Sequence, residues 1–215
     1  MPATLLQPRF KATVRENSYG NAIFAHLKAG GVCGYEQKGK NFTGFAKHGE
    51  KGLWYSANIM HANRVVIVES AIDALSHAQL FETDEQTAYV SVGGGMSPKQ
   101  EKLAEIVMKQ AQERGATVTI ATDNDPAGRA LDKKLTKIAQ KAKVKKLNRD
   151  KPEENHDWND ALKLQAEMTV ESAKRIRAIL EERPGAIAAS PNSSSGSSKS
   201  ENCAPIPDLA PTLKM

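Results

Sequence analysis

Val65-Val66-Ile67-Val68-Glu69 and Val118-Thr119-Ile120-Ala121-Thr122-Asp123-Asn124-Asp125 are the two stretches on which the reading of the fold turns. A continuous Val/Ile run such as 65–68 reads as a strand buried on both faces, the pattern of a parallel sheet, and both stretches are apolar and strand-like. In an open α/β sheet, ligands bind beyond the carboxyl ends of such strands. A Glu and an Asp-X-Asp at those ends converge on one crevice. Crowded carboxylates repel one another unless a cation neutralises them. An all-oxygen donor set suits Mg²⁺ or Mn²⁺, ions that commonly act on phosphates.

Outward from these strands the pattern alternates. A helix is expected over about 71–81, with Asp73 in its first turn, and a strand over 87–92 that ends in Gly93-Gly94-Gly95. Ser97-Pro98 opens a helix that Gly115 closes, Pro126 opens another to about 142, and a short strand follows near 144–147. One or two helices occupy about 158–182. Strands and helices alternating at these lengths imply a parallel sheet flanked by helices. Upstream, residues 18–56 are rich in Gly and aromatics, and Gly52-Leu53-Trp54-Tyr55 reads as the last of several short antiparallel strands. Residues 1–62 are therefore expected to form a small β-rich subdomain and 63–183 the α/β domain. Residues 184–215, rich in Ser and Pro, are expected to be a disordered tail.

The 215 residues carry a formal net charge of +5 and a pI near 9.1, which permit a polyanionic partner without requiring one. Much of the excess lies in Lys133, Lys134, Lys137, Lys141, Lys143, Lys145 and Lys146, either a solvated face or a track for a phosphate backbone. No apolar run is long enough for a membrane span and no secretory signal is legible. Cys33 and Cys203 are too few for a disulfide framework or a zinc site, so a reducing, cytoplasmic setting is expected.

Each acidic residue has a plainer reading beside the chemical one. A lone Glu69 could simply face a helix dipole, and Asp125, before Pro126, could be a helix cap. Asp157 could likewise be a cap, and Gly93-Gly94-Gly95 a flexible turn rather than a phosphate cradle. The triglycine matches neither the dinucleotide nor the P-loop fingerprint.

Taken together, Val65–Glu69 with Ser70-Ala71-Ile72-Asp73, the turn after Val90, Asp123-Asn124-Asp125-Pro126-Ala127-Gly128 and His156-Asp157-Trp158-Asn159-Asp160 resemble the Toprim domain, and within it the primase branch. The resemblance covers roughly residues 64–165. His156 stands where that pattern usually has Lys. Upstream, the resemblance extends to the small subdomain that precedes Toprim in plasmid-borne primase-like and mobilisation proteins.

The resemblance implies a four-stranded parallel sheet flanked by helices, with Glu69, Asp123, Asp125 and Asp157 as ligands of Mg²⁺ or Mn²⁺. It implies a catalytic role for Glu69, Asp123 and Asp125. Lys38, Lys40, Lys47, Lys51, Arg64 and Arg129, with Arg9, become candidates for holding nucleic acid or nucleotide. The expected activity is primase-like nucleotidyl transfer on single-stranded DNA in plasmid replication or mobilisation, with a relaxase or replication protein as partner. A metal-dependent nuclease on the same scaffold and a non-catalytic single-strand-binding module remain the alternatives.

Overall fold

The computed structural model of the chain describes residues 3–40 and 42–181. The expected tail from 184 onward, with Cys203, lies outside the described residues. In chain order the elements are α1 (Ala3–Leu6), α2 (Pro8–Lys11), β1 (Val14–Glu16), β2 (Ala22–Lys28), β3 (Gly31–Lys38), β4 (Thr43–Phe45) and β5 (Trp54–Tyr55). Then follow β6 (Arg64–Val68), α3 (Ala71–Leu80), β7 (Thr87–Ser91), α4 (Pro98–Glu113), β8 (Thr117–Ile120), α5 (Pro126–Lys141), β9 (Leu147–Arg149) and α6 (Trp158–Glu181). Contacts divide the chain into Met1–Ala166 and Glu167–Met215, and the packing and the site described below belong to the first of these units.

Strands β1 to β4 form an antiparallel meander in sequence order. The second sheet has the order β5-β7-β6-β8-β9. Its strands β7, β6, β8 and β9 are parallel, which is the expected four-stranded sheet. Trp54-Tyr55, read from sequence as part of the small subdomain, instead adds a fifth, antiparallel strand on β7, pairing Trp54 with Ser91 and Tyr55 with Val90. Two residues are too short to show a period. What places them is burial: Trp54 is fully buried, stacked near Phe10 and edge-on to Phe24.

The helices begin where the local chemistry dictates. Ser70 and Ser97 each accept from the backbone N–H three residues on, and Asp73 and Gln100 reach back to complete capping boxes. Asp125 caps α5, with Pro126 at the first helical position. Along β6 the side chains alternate between two cores. Val65 and Ile67 pack with Met108, Leu135 and Ile138 of α4 and α5. Val66 and Val68 pack with Ala74, Tyr89, Trp158, Phe10 and Trp54 on the opposite face. Fully burying each such Val or Ile contributes roughly 1.5–3 kcal/mol. Among the described residues no helix is long and apolar enough to cross a membrane.

The strand order decides where a ligand can sit. From β6 the chain passes to β7 on one side, then crosses to β8 and β9 on the other. The order reverses between β6 and β8, and such a switch point opens a crevice at the carboxyl ends of the two strands. Glu69 follows β6 there, and Asp123 follows β8.

Candidate functional site

The crevice is built by backbone ties between its loops. Ser91 Oγ (3.2 Å) and the Gly94 N–H (3.0 Å) both donate to the Glu69 carbonyl, joining the end of β6 to the turn after β7. The Asn124 N–H donates to the His156 carbonyl (3.1 Å), and the Asn155 N–H to the Asn124 carbonyl (3.0 Å). Trp158, 3% exposed, donates from Nε1 to the Ala121 carbonyl (2.8 Å). Asp123 and Asp157 are thereby carried on two loops latched together. Gly128 is buried in the first turn of α5, where a Cβ would collide with the Asp123 carbonyl. The small residue lets the helix start close against that loop.

The carboxylates divide into two kinds. Asp73 Oδ2 accepts from the Ser70 N–H (2.9 Å), Asp125 Oδ1 from the Gly128 N–H (2.6 Å), and Asp157 Oδ1 from the Asp160 N–H (2.7 Å). These three spend one oxygen on capping, so the plainer reading of Asp125 and Asp157 as caps holds beside any other role. Glu69 Oε2 and Asp123 Oδ1 are buried and make no hydrogen bond.

That arrangement is electrostatically strained. Burial pushes the Asp123 carboxyl up to about 8, and the nearby charges of Asp73, Glu69, Asp157 and Asp125 add to the shift. Burial raises Glu69 in the same way, reinforced by Asp125 and Asp157. Asp73 rises to about 6, chiefly from burial. Unpaired, mutually repelling oxygens are costly in a fold unless a ligand, proton or cation relieves them.

The crevice opens into a cleft of about 660 Å³ whose lining includes Glu69, Asp73, Asp123, Asp157, Gly93 and Gly94. The meander and the segment after it contribute Glu36, Lys38, Phe45 and Lys51. Lys51 Nζ donates to the Gly93 carbonyl (2.8 Å) and lies 5.9 Å from the Phe45 ring centre. Among the described residues neither Lys38 nor Lys51 is within ion-pair distance of a carboxylate, so both charges remain available to an anion. The exposed Lys40 and Lys47 lie outside this lining. Arg129, also outside it, donates to the Asn124 carbonyl (3.1 Å).

Two arginines are held elsewhere. Arg64 begins β6, at the other end of that strand from Glu69, and meets Thr119 Oγ1 (3.1 Å) and the Asp150 carboxylate. Arg9 is 1% exposed and donates to the carbonyls of Thr83, Asp84 and Thr87. Sequence reasoning did not single out Glu36 or His26. In the structure Gly34 and Glu36 are buried on β3, where a carboxylate needs a partner.

Residues 66–162 match a family model described as Toprim-like. Over that span the chain is similar to Toprim-like proteins. This span falls within the 64–165 over which the resemblance is legible, and it contains Glu69, Asp123, Asp125 and Asp157. Residues 1–62 match a family described as a protein of unknown function, DUF3991. No curated protein matches the chain in sequence.

Among solved structures, the chain is similar to the RNA polymerase domain of Mycobacterium tuberculosis primase, at 16% identity and a TM-score of 0.44, covering 68% of this chain and 54% of that one. It is similar also to the zinc-binding and RNA polymerase domains of Aquifex aeolicus primase, at 16% identity and a TM-score of 0.45, covering 75% of this chain and 43% of that one. The chain thus spans about half the length of the primase structures it matches.

Proposed function

We propose that this chain carries out divalent-metal-dependent nucleotidyl transfer on single-stranded DNA, as a primase-like enzyme of plasmid replication or mobilisation. The observation that carries the reading is the pair of buried, unpartnered carboxylate oxygens, Glu69 Oε2 and Asp123 Oδ1, at the switch point of the sheet, in a cleft that also exposes Lys38 and Lys51.

Toprim domains generally bind Mg²⁺, and the donor set fits that ion: carboxylate oxygens only, several of them repelling each other. Glu69, Asp123, Asp125 and Asp157 would hold it. Among the described residues no three His, Cys, Asp or Glu side chains already enclose a point for an ion. A bound cation's charge would offset the repulsion among these carboxylates. When bound, the ion supplies charge stabilisation on the phosphate being transferred.

The rest of the work falls to the protein. Lys38 and Lys51 neutralise a polyphosphate held in the cleft. The Gly93-Gly94 turn, with φ of 70° and 86°, allows a phosphate to approach the backbone. Glu69, whose carboxyl burial raises above its ordinary value, can accept the proton of the attacking hydroxyl. Lys40, Lys47 and Arg129 add positive charge at the surface for a template strand, and a relaxase or replication protein is the expected partner.

The discriminating experiment incubates the protein with single-stranded DNA and Mg²⁺, with and without nucleoside triphosphates. Synthesis of short complementary strands supports the proposal. Cleavage of the DNA in the absence of triphosphates, without synthesis in their presence, would replace it with a nuclease.

A further inference from the structure

The cleft has a second charged corner that the reading above leaves unused. Glu36 on β3 is 5% exposed, lines the cleft, and has an Oε2 that makes no hydrogen bond. Its Oε1 lies 3.2 Å from Nε2 of His26, which is fully buried. On the other side of that ring, Nδ1–H donates to the Gly52 carbonyl (2.9 Å), which also receives Gln100 Nε2 (2.9 Å). With Nδ1 turned to the Gly52 carbonyl, the ring holds Nε2 against Glu36 Oε1 and leaves Oε2 as the open oxygen of the carboxyl.

The surroundings hold this pair close to the acidic crevice. The pairing of β2 with β3 shifts register between His26 and Leu27, an irregularity of the kind that re-aims side chains beside active sites. Gly93 lies so near that a Cβ there would run into Glu36 Oε1 and the His26 ring. The next residue, Gly94, donates its N–H to the Glu69 carbonyl. One short turn thus separates the Glu36 carboxyl from the strand end that bears Glu69.

An acceptor this buried is expensive to leave unsatisfied, and a purely structural position would favour an apolar residue or a fully paired one. The open oxygen suits a ligand that donates a hydrogen bond. On a nucleotide the phosphates only accept, so the donors are the sugar hydroxyls and the amino groups of the base. Glu36 sits beside the phosphate end of the cleft, which favours the sugar. A carboxylate on ribose hydroxyls is an established pairing in nucleotide sites.

Resting on the nucleotidyl-transfer reading of the cleft, we propose that the His26–Glu36 pair receives the vicinal hydroxyls of a ribose. That ribose belongs either to a free ribonucleoside triphosphate or to the 3′ end of a bound strand.

Calorimetric titration of the full chain with Mg²⁺ present tests this in two arms: ATP against dATP, and single-stranded oligonucleotides ending in ribose against the same ending in deoxyribose. Wild type is expected to favour the ribose form about tenfold or more in at least one arm. In Glu36→Leu, which removes both acceptor oxygens, that preference falls to near unity, and the deoxy form, which keeps its 3′-hydroxyl, loses less affinity than the ribose form. Glu36→Asp, which keeps the charge but shortens the side chain, also lowers the preference and decides the matter should the Leu variant fail to melt cooperatively. Equal binding of ribose and deoxyribose forms by wild type, or a preference retained in a folded variant, overturns the proposal. If wild type binds no nucleotide and no oligonucleotide, the nucleotidyl-transfer reading itself fails, and this inference with it.

Discussion

Trp158 Nε1–H donates to the Ala121 carbonyl at 2.8 Å, so a single buried side chain ties the loop bearing Asp157 to the strand end bearing Asp123. Its ring also packs edge-on against His77, with centres 4.8 Å apart. Trp158→Phe keeps an aromatic ring in place but leaves the Ala121 carbonyl without its donor. The expected loss is about 1–3 kcal/mol in urea unfolding. Any activity requiring Asp123 and Asp157 together should fall further than that loss of stability explains. Unchanged unfolding and activity would show that the tie is dispensable.

The acidic crevice should make the metal-free protein pH-sensitive. Asp123 holds its proton to about pH 8 in the fold, whereas in the unfolded chain it titrates near 3.8. Between those values the unfolded chain binds fewer protons than the folded one, so stability falls as pH rises. The contribution is whole below about pH 4 and gone above about pH 8. In chelator, the melting temperature should drop from pH 5 to pH 8. Asp123→Asn should flatten that slope and be more stable than wild type at pH 8. It should retain a residual slope, because Asp73 and Glu69 shift in the same sense. Parallel melting curves for the two proteins would contradict the electrostatic account.

Arg9 is a structural residue in the fold, not a surface cation. Arg9→Met keeps much of the packing against Phe10 and Tyr89 but strips the donors from the carbonyls of Thr83, Asp84 and Thr87. A loss of about 3 kcal/mol is expected by chemical denaturation, since several buried acceptors are left unpaired at once. A loss below about 1 kcal/mol would mean that water replaces the guanidinium.

These residues also show what was legible before the structure. The Val65–Val68 run of β6 announced a doubly covered sheet because burial on both faces removes polar alternation. The caps at Ser97 and Asp125 marked helix starts because their side chains satisfy orphaned N–H groups. The acids lay at strand ends, so their convergence followed from topology. The basic candidates were less legible. Arg9, Arg64, Lys38 and Lys51 look alike in sequence, and only tertiary packing separates those held by carbonyls and Asp150 from those facing the cleft. Trp54-Tyr55 changed sheets because two residues carry no period of their own. Glu36 was hidden because its partner, His26, lies ten residues away across a hairpin.

The central claim is that the carboxylates at the switch point serve nucleotidyl transfer. The most direct measurement is template-directed incorporation of α-labelled nucleoside triphosphate on single-stranded DNA with Mg²⁺, comparing wild type with Asp123→Asn and Glu69→Gln. Loss of about 100-fold or more in both variants, with cooperative melting retained, is the predicted result; it corresponds to about 2.7 kcal/mol of transition-state stabilisation. Incorporation at the wild-type rate by either folded variant would contradict the account.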